Sequence, residues 1–189
     1  MKPILDIIVV TYDQNHELKC FIESILAQTE ENWRMLVIHD GPSVQFGKIM
    51  EAYLDDPRID YMLTDKRYND WGHSLRKIGV ERLGDSEYTL VTNCDDMFSP
   101  VYIKEMCCGD EDLVFCNCSH HHWRYQAREC QLKRKAIDIS CCVIKTEIVK
   151  AVGWNHFEYA ADWFFLSEIM TKYPNLTIRK APKVLLLKN

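Results

Sequence analysis

The chain has 189 residues, is 47% hydrophobic and carries a formal net charge of −5. That length suits one compact domain with a real core rather than two domains. The acidic balance argues against a nucleic-acid footprint, which needs a basic patch. No segment reaches the roughly 18 apolar residues of a membrane span. The stretch Met1 to Asp6 has an acid inside its short apolar run and no cleavage-site pattern. It does not read as a signal peptide, and a cytoplasmic location is expected.

Leu5 to Val10 is a continuous apolar run and reads as a buried strand. Leu18, Phe21, Ile22, Ile25 and Leu26 then recur at helical spacing. Met35 to Ile38 is a second strand, Ile49 to Leu54 a second helix, and Ile59 to Leu63 a third strand. A third helix spans about residues 72–83, with Leu75, Ile78, Gly79 and Leu83 inward, and Tyr88 to Thr92 is the fourth strand. This alternation predicts an α/β fold with a mainly parallel sheet and helices on both faces. Beyond residue 110 the order changes. Leu113 to Cys118 reads as a strand, residues 123–132 as an irregular hairpin, and Ile137 to Ile144 as a strand. Helices follow at Thr146 to Val152 and Ala161 to Lys172, then a last strand at Val184 to Leu187.

Ligands of such sheets bind at the carboxyl ends of the strands. Three polar clusters lie at such ends: Thr11-Tyr12-Asp13, His39-Asp40-Gly41 and Asn93-Cys94-Asp95-Asp96. Adjacent carboxylates repel when buried side by side. A hard divalent cation shared with substrate phosphates resolves that conflict; a helix or turn cap is the plainer alternative. Phosphate-cradling glycine loops of the GxxxxGK[ST] and GxGxxG kinds are absent from the sequence.

The nine cysteines include the adjacent pairs Cys107-Cys108 and Cys141-Cys142, a poor disulfide framework. Reduced core residues are expected. The alternative is a structural zinc on Cys116, Cys118, His120 and His122, at a spacing unlike the usual knuckle. His120, His121 and His122 read as a solvated loop, with lining of an acceptor cleft or a third metal ligand as the alternative. The basic stretch Arg124 to Lys135 reads as a solvated charge run; its Lys133-Arg134-Lys135 could instead meet a diphosphate or an anionic acceptor. Trp71, Trp154, Trp163, Phe164 and Phe165 read as core or cleft wall.

The motifs, taken together, resemble family 2 glycosyltransferases. Ile7 to Asp13 is similar to the family's opening strand, which ends in Pro-Thr-Tyr-Asn. Phe21 to Thr29 is similar to a first helix ending in Ser-Leu-x-x-Gln-Thr, and Val37 to Ser43 to Val-Val-Asp-Asp-Gly-Ser. Glu87 to Asp96 resembles Glu-Tyr, an apolar strand and Asp-x-Asp-Asp. Val149 to Trp154 resembles Val-Gly-Gly-Phe, and Ala160 to Trp163 the Glu-Asp-Trp/Tyr that opens a late helix.

The resemblance implies a single GT-A domain over residues 1–189, with a nucleotide-sugar half to about residue 96 and an acceptor-side half beyond it. It implies a UDP-sugar donor, with glucose first, and a Mn²⁺ or Mg²⁺ cofactor. Thr11, Tyr12 and Asp40 match positions that hold the nucleobase and ribose, and Asp13 is expected to bind the donor beside them. Arg76 matches an arginine beside the donor, Asn93 the first acid of Asp-x-Asp, and Asp95 the last. Asp95 is the first metal ligand and Asp96 the second. Asp162 matches the catalytic base of an inverting displacement, and Trp163 can stack on a sugar. The acceptor is a glycan, lipid or protein hydroxyl. Asn93, His39 and Ala161 each stand where the family has an acid, and Pro42 stiffens its turn. A non-catalytic relative that binds nucleotide or sugar is the main alternative, and a nucleotidyltransferase the second.

Overall fold

The computed structural model describes residues 2–189, and of residue 123 the backbone only. The first half alternates strictly. Strand β1 (Leu5–Thr11) leads to α1 (Asn15–Leu26), β2 (Trp33–His39), α2 (Val44–Met50), β3 (Ile59–Leu63), α3 (His73–Glu81) and β4 (Tyr88–Asn93). These strands lie in the order β3-β2-β1-β4 and all pair in parallel. All seven residues of β1 are buried, as expected of a strand covered on both faces. The acid within it, Asp6, is buried yet satisfied: Arg34 Nε and Nη2 donate to its two oxygens at 2.9 Å, and the Gly84 amide donates at 3.1 Å.

Helix α3 sits unusually close to the sheet. A Cβ on Gly79 would lie 2.4 Å from Ile8 Cγ2, so only glycine fits there. The same helix packs against β1, β2 and α5, which in turn meets α6, whereas α1 packs against α2.

The second half departs from the sequence reading. A short strand β5 (Met97–Phe98) and helix α4 (Tyr102–Met106) precede β6 (Leu113–His120). Then come β7 (Ala127–Arg128), β8 (Cys142–Lys145), α5 (Thr146–Val152), α6 (Ala161–Lys172) and β9 (Ile178–Lys188). Strand β8 joins β4 antiparallel and β6 joins β8 antiparallel, while β9 runs parallel to β6. One nine-stranded sheet runs through both halves; it is mixed, with short antiparallel ladders at β5, β7 and β8 added to the long parallel ones. The strand expected from Ile137 is a 3-10 turn over Ile139–Cys141 before β8 begins. Asp138 causes the break: its side chain accepts from the Ser140 amide and caps the turn. The expected hairpin is a 3-10 turn at 121–123 with two β7 residues paired to β6. The last strand starts six residues earlier than its apolar run, because Ile178 to Ala181 pair with β6 despite their polar pattern, with a bulge before Val184.

Candidate active site

The strand order reverses beside β1, whose neighbours are β2 and β4. A cleft of about 780 Å³ opens there, at the carboxyl ends of these strands. Thr11, Tyr12, Asp40, Arg76, Asn93, Asp95, Asp162 and Trp163 all line it. Asp13 and Asp96 do not. Asp13 is exposed, in the left-handed region with φ 52.

Each side chain is held by local chemistry. At the β1–β4 junction the buried Cys94 thiol donates to Thr11 Oγ1 at 2.9 Å and to Gln14 Oε1 at 3.2 Å. Burial pushes this thiol up to about 12, so it stays a neutral donor. Gln14 Nε2 then donates to Asp95 Oδ2 at 3.3 Å. The other oxygen, Asp95 Oδ1, is buried with no hydrogen-bond partner among the described residues. A buried carboxylate oxygen without a donor is costly, and this one belongs to a cleft-lining residue.

Asp96 is fully buried on the far side of that turn. Its Oδ2 accepts from Thr92 Oγ1 at 3.2 Å, and Lys188 Nζ lies 3.6 Å from Oδ1. Burial raises its carboxyl to about 7, against the pull of Lys188. The expected pair of metal acids is therefore divided: one faces the cleft and its neighbour faces the protein interior. Successive residues at a tight strand end point in opposite directions, which a linear motif does not display.

Asp40 serves the loop above the cleft. Its two oxygens accept from the Tyr68 and Asn69 amides at 2.7 and 3.0 Å. This loop brings Arg67 onto the face of Tyr12, with the guanidinium carbon 3.6 Å from the ring centroid. It ends at Gly72, φ 81, where a Cβ would come within 2.9 Å of Val10 Cγ2. The neighbouring Trp71, also at positive φ, is 74% exposed at the rim of the cleft.

Arg76 is 4% exposed and forms the floor. Its Nη2 donates to Asn93 Oδ1 at 2.6 Å and its Nη1 to Trp71 O at 2.8 Å. Trp154 lies under the guanidinium at 5.4 Å. Among the described residues no carboxylate forms an ion pair with Arg76. Asn93 thus meets this buried cation as a neutral acceptor.

Asp162 occupies the first turn of α6, after Ala160 in the left-handed region at φ 73. Its Oδ2 accepts from the Ile139 amide at 3.3 Å. Burial, and then the like charge of Asp138, raise its carboxyl above the usual range, while Arg76 pulls it down. Asp138 itself is bound by Lys188 Nζ at 2.8 Å.

Several cleft residues escaped the sequence reading. Gln14 and Arg67 carry no motif. Arg128 and Lys135 line the cleft although their stretch reads as solvated charge; the Lys133-Arg134-Lys135 run was the available signal. Asp138 also lines it. The three histidines do not. Their rings pack on one another with centroids 3.8–4.9 Å apart at the end of β6. Trp154 and Phe165 are core, as expected.

The model of Glycosyl transferase family 2 matches residues 6–121. Two curated relatives that bear the name glycosyltransferase are 28% identical to the chain. One, from Rickettsia bellii, aligns over 94 residues, 50% of this chain and 13% of its own length. The other, EpsH of Bacillus subtilis, aligns over 119 residues, 61% of this chain and 33% of its own. The chain thus spans a third or less of these relatives. Among solved structures, S. aureus TarS 1-349 in complex with UDP-GlcNAc superposes on 100% of this chain and 59% of its own, with a TM-score of 0.79 and 16% identity. The mannosyltransferase PcManGT of Pyrobaculum calidifontis, in complex with GDP-Man and Mn²⁺, covers 99% of this chain and 57% of its own, with a TM-score of 0.71 and 13% identity. Those likenesses establish the GT-A fold. With the family model spanning more than half of its residues and the strand-end cleft in the fold's expected place, this chain belongs to glycosyl transferase family 2.

Proposed function

We propose that the chain transfers a hexose from a UDP-sugar to a hydroxyl acceptor by a single inverting displacement assisted by a divalent cation. The observation that carries this reading is the pairing, in one cleft, of an unpartnered Asp95 oxygen with a raised Asp162 carboxyl.

The residues present fit a cation. Mg²⁺ and Mn²⁺ are commonly held by one or two carboxylates together with substrate phosphates. Asp95 Oδ1 supplies one such oxygen, and Gln14 fixes the orientation of its carboxylate. When bound, the ion would stabilise charge on the departing diphosphate as a Lewis acid. Arg76, buried and without an acid partner, adds fixed positive charge on the same floor. Arg67, Arg128 and Lys135 add cations around the rim.

Thr11, Tyr12 and Asp40 lie at the nucleoside end, at the termini of β1 and β2. Across the cleft, Asp162 would take the acceptor hydroxyl proton as the hydroxyl oxygen attacks the anomeric carbon. A carboxyl raised by burial is a better base than a solvated one and must still be ionised to act. Trp163 and Tyr159 line the acceptor side and can pack on sugar rings.

The reading is tested by incubating the chain with UDP-glucose, UDP-GlcNAc and GDP-mannose, each with Mn²⁺, and following nucleoside diphosphate release. UDP release that Asp162→Asn abolishes supports it. UDP binding without release from any donor would favour the non-catalytic relative. Preference for GDP-mannose would overturn the donor assignment.

A further inference from the structure

Three of the nine cysteines converge on one buried point behind the cleft wall, and a fourth, Cys116, lies two residues before one of them. Cys118 comes from β6, Cys130 from the segment after β7, and Cys141 from the 3-10 turn before β8. Cys130 Sγ lies 3.8 Å from Cys118 Sγ and 3.8 Å from Cys141 Sγ, and the three sulfurs all lie within 4.8 Å of one another. Cys116, two residues before Cys118 on β6, is buried on the same face of that strand, though its sulfur is not within 4.8 Å of all three. All four are 2% exposed or less.

These distances match a specific chemistry. Four thiolates at about 2.3 Å from a central zinc sit at the corners of a tetrahedron whose edges are about 3.8 Å. A disulfide would need two of the sulfurs to close to about 2.05 Å. Iron–sulfur clusters hold their cysteines around a wider multi-metal core. Thiols used as small core residues have no reason to meet three at a time from separate segments. Two of the segments are also aimed by polar contacts: the Cys130 amide donates to Asn117 Oδ1 at 3.0 Å, and Asp138 caps the turn that delivers Cys141.

We propose that Cys118, Cys130 and Cys141, with Cys116 as the fourth thiol, form a structural zinc(II) site. On binding, the thiols lose their protons to solvent and each sulfur donates a lone pair to the metal. The site lies at the base of the 128–138 segment, which carries Arg128, Lys135, Ile137 and Asp138 into the cleft. That segment contains a single strand residue, Arg128, and is otherwise irregular, so a metal tie at both of its ends fixes what secondary structure does not. The sequence favours reduced core cysteines, with Cys116, Cys118, His120 and His122 as the alternative zinc set; an all-sulfur set fits better than that one, because the histidine rings stack on each other at the end of β6.

The test is elemental analysis of the full chain purified without chelator. About one zinc per chain is expected, lost in Cys118→Ser and Cys141→Ser and kept in Cys108→Ser, whose cysteine is exposed. Should the buried variants fail to fold, cobalt(II) added to the zinc-stripped natural chain provides an independent reading. Sulfur-to-cobalt charge transfer with intense tetrahedral visible bands supports the site. A cobalt spectrum without sulfur charge transfer would assign the metal to oxygen ligands such as Asp95 and overturn it. Four thiols that react as free in the metal-replete chain, or a mapped Cys118–Cys130 disulfide, would overturn it as well.

Discussion

The two walls of the cleft are built by different physics. The β1–β4 wall is regular: parallel strands with buried faces end in polar residues, and the chain's own periodicity puts Thr11, Asp40, Asn93 and Asp95 at one edge. The opposite wall is irregular, made from the 128–138 segment and the start of α6. There a capped 3-10 turn, a Lys188–Asp138 ion pair and a cluster of thiols replace regular backbone pairing. A regular wall suits a donor whose diphosphate and nucleoside vary little. An irregular wall can change its acceptor contacts without disturbing the sheet.

The comparison can be broken from either side. The largest expected effect is on the irregular wall: Asp162→Asn should lower transfer by about a hundred- to ten-thousandfold, the range for loss of a general base, with Mn²⁺-dependent UDP binding retained in a titration. On the regular wall, Asp95→Ala should remove the difference between UDP affinity in Mn²⁺ and in EDTA. Gln14→Ala, which frees the Asp95 carboxylate that Gln14 now holds, should cost about 10–100-fold in metal affinity. Asp96→Asn should leave that affinity in place, because Asp96 faces the interior. Next, Gly72→Ala should destabilise the chain by about 1–2 kcal/mol through its left-handed φ alone, read by denaturant titration, and should weaken UDP binding by displacing the loop over Tyr12.

The smallest effect is a shift in pH profile. Asp138 raises the Asp162 carboxyl by like charge, so Asp138→Asn should lower it. A base is active when ionised, so the acidic limb of the transfer rate should move to lower pH in that variant. A limb that moves upward would show that another group controls the profile.

Much of the regular wall was legible in the sequence. Apolar runs such as Leu5 to Val10 and Tyr88 to Thr92 are strands covered on both faces; the helix expected over Ile49 to Leu54 instead runs over Val44–Met50, capped by Ser43, and gives way to a 3-10 turn at Glu51–Tyr53. Strand ends follow from strands, so the cleft residues of that wall followed too. Asp95 and Asp96 mark the boundary of this legibility: the sequence places both at the strand end, and the turn's geometry decides which one sees the cleft. The irregular wall was less legible because its contacts are long-range. Arg128 and Lys135 look like surface charge until the fold brings them to the cleft that Asn93 also lines. Asp138 looks like the interior of a strand until it caps a turn, and β9 hides half its length in a polar stretch that pairs with β6. Cys130 and Cys141 belong to no spacing motif, and only tertiary contact sets them beside Cys118.

The central claim is that the unpartnered Asp95 oxygen and the buried Arg76 await a cation and a diphosphate. Calorimetric titration of UDP into the chain, with Mn²⁺ and then with EDTA, addresses it most directly. The account predicts binding in Mn²⁺ that EDTA weakens strongly and that Asp95→Ala removes. Equal UDP affinity with and without the metal would contradict it, and Asp95 would then be a turn residue rather than a ligand.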